Sequence, residues 1–170
     1  VGSEMCIRDR EGPVKKEGDL RSPAGIFELG GVYGTVPVPN KKRSMPYRRI
    51  TPRDMWVDDP SSPLYNQHFV LKHDPVTPWE FKQQMKLNDY AHSLKLFIRH
   101  NATGDQGRPV AGGGSSIFFH IWRRDGQAPT AGCTAMSEEN LRAMIAWLDP
   151  SKHPLYILLP SREYLRLRKA

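Results

Sequence analysis

A chain of 170 residues with 25 Lys and Arg against 18 Asp and Glu carries a net charge of +7, and its 15 Pro and 14 Gly belong to a turn-rich globular protein. No apolar run approaches the roughly 18 residues a transmembrane helix needs, so no membrane span is expected, and the length suits one domain around one core. The positive balance favours polyanionic surroundings, whether nucleic acid, anionic lipid or acidic polymer, without choosing among them.

Residues 1–10, VGSEMCIRDR, match a one-frame translation of the transposase adapter ligated to DNA during library preparation, and are expected to be an artefact of assembly. Cys6 then drops out, Cys133 is left alone and no intramolecular disulfide is possible. The domain proper is expected over 11–160, with a basic tail over 161–170.

In chain order, GIFELGG reads as a short strand closed by glycines. The Pro-rich, basic stretch from Thr35 to Pro63 reads mostly as loop. Thr77 and Pro78 announce a short helical turn. LKLFIRH alternates Leu94, Leu96 and Ile98 against Lys95, Phe97 and Arg99, the period of a partly buried strand. SSIFFHIW is a buried strand with one polar residue, His120. Ser137 caps a helix whose apolar face is Leu141, Met144, Ile145 and Leu148, and Asp149-Pro150 stops it. PLYILLP is a last strand. The fold class expected is mainly β (α+β), with one or two short helices.

Cys133 and His120 carry the chemistry. A free thiol near pKa 8.5 is scarcely ionised at pH 7, and a neighbouring imidazole can supply the missing activation. His120 precedes Cys133 by thirteen positions on a strand, with a flexible connection between them. Gly132 and its neighbours offer backbone N–H groups that can approach a carbonyl oxygen, as an oxyanion hole requires. The plainer reading makes Cys133 a small buried hydrophobe and His120 a satisfied core residue. A zinc site wants four ligands at paired spacings, and His68, His73, His92, His100 and His153 do not supply them, so no metal is expected. The papain order of Cys before His is reversed here.

Four ordered motifs then carry a resemblance: KKEGDLRSPAGIF, DDPSSPLYN, SSIFFHI and PTAGC. Together they resemble the L,D-transpeptidases of bacterial cell walls, the YkuD-type catalytic domain, whose hallmark is a strand His followed by Ser or Thr, any residue, Gly, Cys. The resemblance implies a YkuD-like β-sandwich-type domain and a cysteine acyltransferase without cofactor. It implies peptidoglycan stem peptides as donor and acceptor, a periplasmic or cell-envelope setting, and a part in wall organisation and cell shape. Cys133 would attack a tetrapeptide stem, expel D-alanine and form a thioester; His120 would move the protons, and the N–H groups of Gly132 and Cys133 would hold the oxyanion. Water in place of the acceptor amine gives an L,D-carboxypeptidase, and loss of activity leaves a peptidoglycan-binding domain.

Thr130, Ser116, Tyr65, Asn66 and Arg123 are the expected substrate contacts. Tyr65, Asn66 and Asn101 read equally well as turn formers. Many members carry Arg two positions after the Cys. Ala135 stands there, so Arg123, Arg99 or Arg124 must supply any carboxylate clamp. For the second ring nitrogen of His120 the candidates are Ser115, Ser116 and the Gly114 carbonyl. The basic run KKRSMPYRR has no nucleic-acid-binding fold around it and no nucleic-acid partner is expected.

Overall fold

A computed structural model describes residues 14–38, 44–102 and 107–168. The stretch read as adapter lies outside the described residues. So do Lys41 to Arg43 of the basic run.

The chain forms strands β1 (Gly25–Gly34), β2 (Tyr47–Arg49), β3 (Asp54–Trp56) and β4 (His68–Val70), helix α1 (Pro78–Gln83), then β5 (Leu94–Ile98), β6 (Phe118–Ile121) and β7 (Thr134–Met136). Helix α2 (Glu138–Trp147), strand β8 (Leu155–Leu158) and helix α3 (Ser161–Leu167) complete it. The architecture is mainly β within an α+β fold, a mixed sheet with few helices. Its order is β2-β1-β5-β6-β7, with β8 on the first half of β1, and β3 and β4 pair separately.

Both expected helix starts hold. Thr77 caps α1 in a full capping box with Glu80, with Pro in the first turn, and the Ser137 side chain accepts from Asn140 N at the start of α2. Three expectations are corrected. GIFELGG does not close at its glycines: β1 runs on to Gly34, and its register against β5 shifts between Leu29 and Val32, where Gly30 and Gly31 let the strand turn from β8 to β5. The stretch read mostly as loop is that, apart from β2 and β3 of three residues each, whereas the tail holds α3, a third helix where one or two were expected. Strand β5 is buried on both faces, Lys95 included.

Two cores account for that double burial. On one face Leu94, Leu96, Ile98, Phe119 and Ile121 pack with Leu141, Ile145 and Leu148 of α2 and its end. On the other, Phe97 and Phe118 pack with Ile50, Trp56 and Met85, and the half-buried Cys133 joins this cluster. Trp56 lies 4.4 Å from Phe97 and 4.8 Å from Phe118 between ring centroids. Cys133 and His120 stand on this aromatic face.

Candidate active site

Strands β6 and β7 run parallel, pairing Phe119 with Thr134 and His120 with Ala135. Side chains alternate across a strand, so Phe118 and His120 point together, and Cys133, one residue before Thr134, points with them. The sequence-predicted pair therefore shares one face on adjacent strands. β5 pairs Lys95 with His120, bringing a third polar side chain to the same face.

His120 is 2% exposed. Its Nδ1 lies 2.8 Å from the carbonyl oxygen of Ile121. A carbonyl only accepts, so Nδ1 carries the proton and Nε2 keeps its lone pair. The orienting group is thus the next residue on the same strand, not Ser115, Ser116 or the Gly114 carbonyl. Burial pushes the imidazole below its ordinary pKa, partly opposed by the Ile121 bond, so it is neutral at pH 7.

Cys133 is a free, half-buried thiol. Its Sγ donates to the Ser116 carbonyl at 3.4 Å. Burial pushes its pKa up, against a backbone hydrogen bond from Phe118 and the positive charges of Lys95, Lys15 and Arg123. The resting pair is therefore thiol and neutral imidazole, rather than the thiolate–imidazolium pair that the bare sequence allows.

Thr130 belongs to the turn itself. Its hydroxyl donates to the Cys133 carbonyl at 2.6 Å and accepts from Gly132 N at 3.3 Å. Gly132 is required there, with φ +135° and space in which an added Cβ would meet the Arg21 carbonyl oxygen at 2.8 Å.

The expected substrate contacts are mostly brought behind the site rather than into it. Asn66 is 3% exposed. It is saturated: Oδ1 accepts from Trp56 Nε1 at 2.9 Å and Ser116 N at 3.1 Å, while Nδ2 donates to the carbonyls of His100 at 3.1 Å and Asn101 at 2.8 Å. Tyr65, equally buried, donates its hydroxyl to Glu17 and accepts from Gly114 N at 3.0 Å. Asn101 is spent on Val110 and Gly114. These side chains hold the 113–116 segment, and that segment presents the Ser116 carbonyl to Cys133. Ser116 adopts φ 54°, a left-handed conformation unfavourable for serine by about 1 kcal/mol, and the Asn66 bond helps keep it there.

Arg123 lies at the site's edge with a side chain 42% exposed, 2.5 Å from Asp89 Oδ2. Arg99 pairs with Glu28 at 3.3 Å, and Arg124 enters a 3-10 turn with φ 49°.

Three residues of the site escaped the sequence reading. His92 stacks on His120 with ring centroids 4.7 Å apart and an interplanar angle of 25°. Asp89 holds His92 through Nδ1 at 2.8 Å and through its backbone N at 2.9 Å. Burial would raise the Asp89 carboxyl, but its bonds to Arg123 and His92 overcome this and hold it at about 2. Lys95, 4% exposed, is the third, and its neighbour in alternation, aromatic Phe97, was the available signal that this face is not solvent. Among the described residues no group of three or more His, Cys, Asp or Glu is placed to hold a metal ion, and no helix is long and apolar enough to cross a membrane.

The family model described as the L,D-transpeptidase catalytic domain, YkuD, matches residues 1–157. The chain belongs to the YkuD family. YkuD domains are cysteine-dependent L,D-transpeptidases, typically extracytoplasmic, that act on peptidoglycan, and the resemblance read from the four motifs is the same family. No curated protein and no solved structure matched the chain.

Proposed function

We propose that the protein is an L,D-transpeptidase of the cell envelope that works through a Cys133 thioester, with 11–160 as its catalytic domain. The observation that carries this is the shared face of Cys133 and His120 on adjacent parallel strands, with His120 Nδ1 committed to Ile121 and Nε2 left as a base. In the forward step, His120 Nε2 takes the thiol proton as sulfur attacks the carbonyl that precedes the terminal D-alanine of a tetrapeptide stem. The tetrahedral intermediate collapses as the imidazolium protonates the leaving D-alanine nitrogen. The acceptor amine of a second stem then loses a proton to His120 and displaces sulfur, giving a 3-3 cross-link and contributing to wall organisation and cell shape.

The oxyanion falls to the N–H groups of Gly132 and Cys133. At 3.3 Å the Gly132 bond to Thr130 is long, and a developing negative charge competes well for it. Arg123 is the proposed carboxylate clamp: it is partly exposed, and its charge acts on both His120 and Cys133. Thr130 and Ser116 shape the nucleophile turn, and Tyr65 and Asn66 support it from behind.

Incubating the protein with disaccharide-tetrapeptide and following D-alanine by mass spectrometry tests the reading. Wild type should release D-alanine, Cys133→Ala should release none, and His120→Gln should fall by roughly 10²-fold or more. Product mass separates amine from water as acceptor. A folded wild type that binds muropeptide and releases nothing would overturn the catalytic reading in favour of a wall-binding domain.

A further inference from the structure

We propose that Lys95 is a positioning residue for the nucleophile: its buried ammonium is the counter-charge that allows the Cys133 thiol to ionise in a site that excludes water. This rests on the reading of Cys133 as nucleophile. Lys95 lies on β5, opposite His120 of the neighbouring β6 in register, and on the face that carries Cys133 across β6. It is 4% exposed, its Nζ lies 5.6 Å from the Phe118 ring centroid, and it donates to the Met85 carbonyl at 2.7 Å. No carboxylate among the described residues pairs with it. Burying an ammonium is costly, and a buried charge without a carboxylate is retained where a negative charge forms nearby.

The surrounding groups leave the sulfur as that charge. From β6 comes His120 and from the 3-10 turn over Tyr90–His92 comes His92, both neutral at pH 7 because burial lowers them, His92 to about 4. Asp89 is taken up by Arg123 and His92, and Lys15 by Asp19. Burial holds Lys95 at about 8, and of the groups that oppose this, the Cys133 sulfur acts ahead of Asp89. Seen from the thiol, Lys95 is the strongest of the surrounding charges, ahead of Lys15 and Arg123. The division of labour follows. The S–H bond breaks, its proton passes to His120 Nε2, the electron pair stays on sulfur, and Lys95 keeps its own proton throughout and supplies field alone.

The test is the rate of iodoacetamide alkylation against pH on the full chain, read at the Cys133 peptide by mass spectrometry so that Cys6 does not interfere. Lys95→Met, which keeps length and loses charge, should raise the midpoint by about one unit and slow alkylation at pH 7 roughly tenfold; Lys95→Arg should recover much of it. A folded Lys95→Met with the wild-type midpoint overturns the proposal. Should Lys95→Met fail to fold, the coupling is read from the other side, by carbon NMR titration of Lys95 in wild type and Cys133→Ala. Coupling between two sites is reciprocal, so the Lys95 midpoint should fall when the thiol is removed, and an unchanged midpoint overturns the proposal. Neither readout uses a wall peptide. Coupling in a protein that releases no D-alanine removes the transpeptidase reading alone, whereas release without coupling removes the Lys95 assignment alone.

Discussion

Asn66 concentrates more structure in one side chain than any residue that touches the thiol. Its four hydrogen bonds tie β3's Trp56 to the 100–101 turn and to Ser116, and φ 53° places it in the left-handed region that asparagine tolerates better than most residues. Asn66→Ala leaves several buried partners unsatisfied, at about 1–3 kcal/mol each, so a loss of at least about 3 kcal/mol is expected in urea unfolding. A loss under about 1 kcal/mol would return Asn66 to the role of substrate contact. At this scale Cys133 and His120 were legible because a thiol and an imidazole are few and chemically distinctive. Lys95, Asp89 and His92 were not, because their burial is created by the 85–93 segment folding across the aromatic face, a contact that no local pattern announces. Asn66 carried the signal of a turn and of a ligand contact alike, since an amide side chain serves either.

The bent strand β1 organises the elements, and its glycines do two different things. Gly30 and Gly31 lie at the register shift that hands the strand from β8 to β5, while Gly34 ends it where an added Cβ would lie 2.5 Å from the Ser93 carbonyl oxygen. That carbonyl accepts from Thr35 N at 2.9 Å, and Ser93 adjoins both His92 and β5. Gly34→Ala must therefore push the His92 turn away from the sheet. It should cost roughly 2 kcal/mol or more in urea unfolding and weaken the His92–His120 stack, seen as a shift of the His120 ring resonances. Wild-type stability with unchanged resonances would mean that the turn adapts without moving. Helices α1 and α2 were legible because capping is local: Thr77 with Glu80, and Ser137 with Asn140, lie within four residues of each other. Strands β2, β3 and β4 hold three residues each and owe their existence to partners far along the chain, so hydrophobic alternation had too few positions to show them.

For the whole molecule, the two cores and the acid hubs beside them set how stability answers to pH. The expectation of one core missed the second because the second face of β5 and β6 mixes Phe97 and Phe118 with Lys95 and His120, and a period-two reading assigns such a mixed face to solvent. That second core buries His92, whose ring is held at about 4 by desolvation, against the opposing pull of Asp89. An unfolded chain protonates this imidazole near 6.5, so between pH 6.5 and 4 the unfolded state takes up a proton that the folded state refuses. Stability is then whole above pH 6.5 and falls by about 3 kcal/mol as pH drops to 4. His120, lowered for the same reason, adds to the fall. Below that window a second loss begins. Asp54 is fully buried and, although desolvation raises it, bonds from Arg48, Thr51 and His68 hold it at about 2. Its contribution, about 2 kcal/mol, is present above pH 3.8 and disappears as pH falls through 2. Urea midpoints at pH 7.5, 5.5 and 4.0 should show the first loss in wild type and a shallower one in His92→Gln, which cannot titrate. Parallel curves for the two proteins would place the proton uptake at groups other than His92.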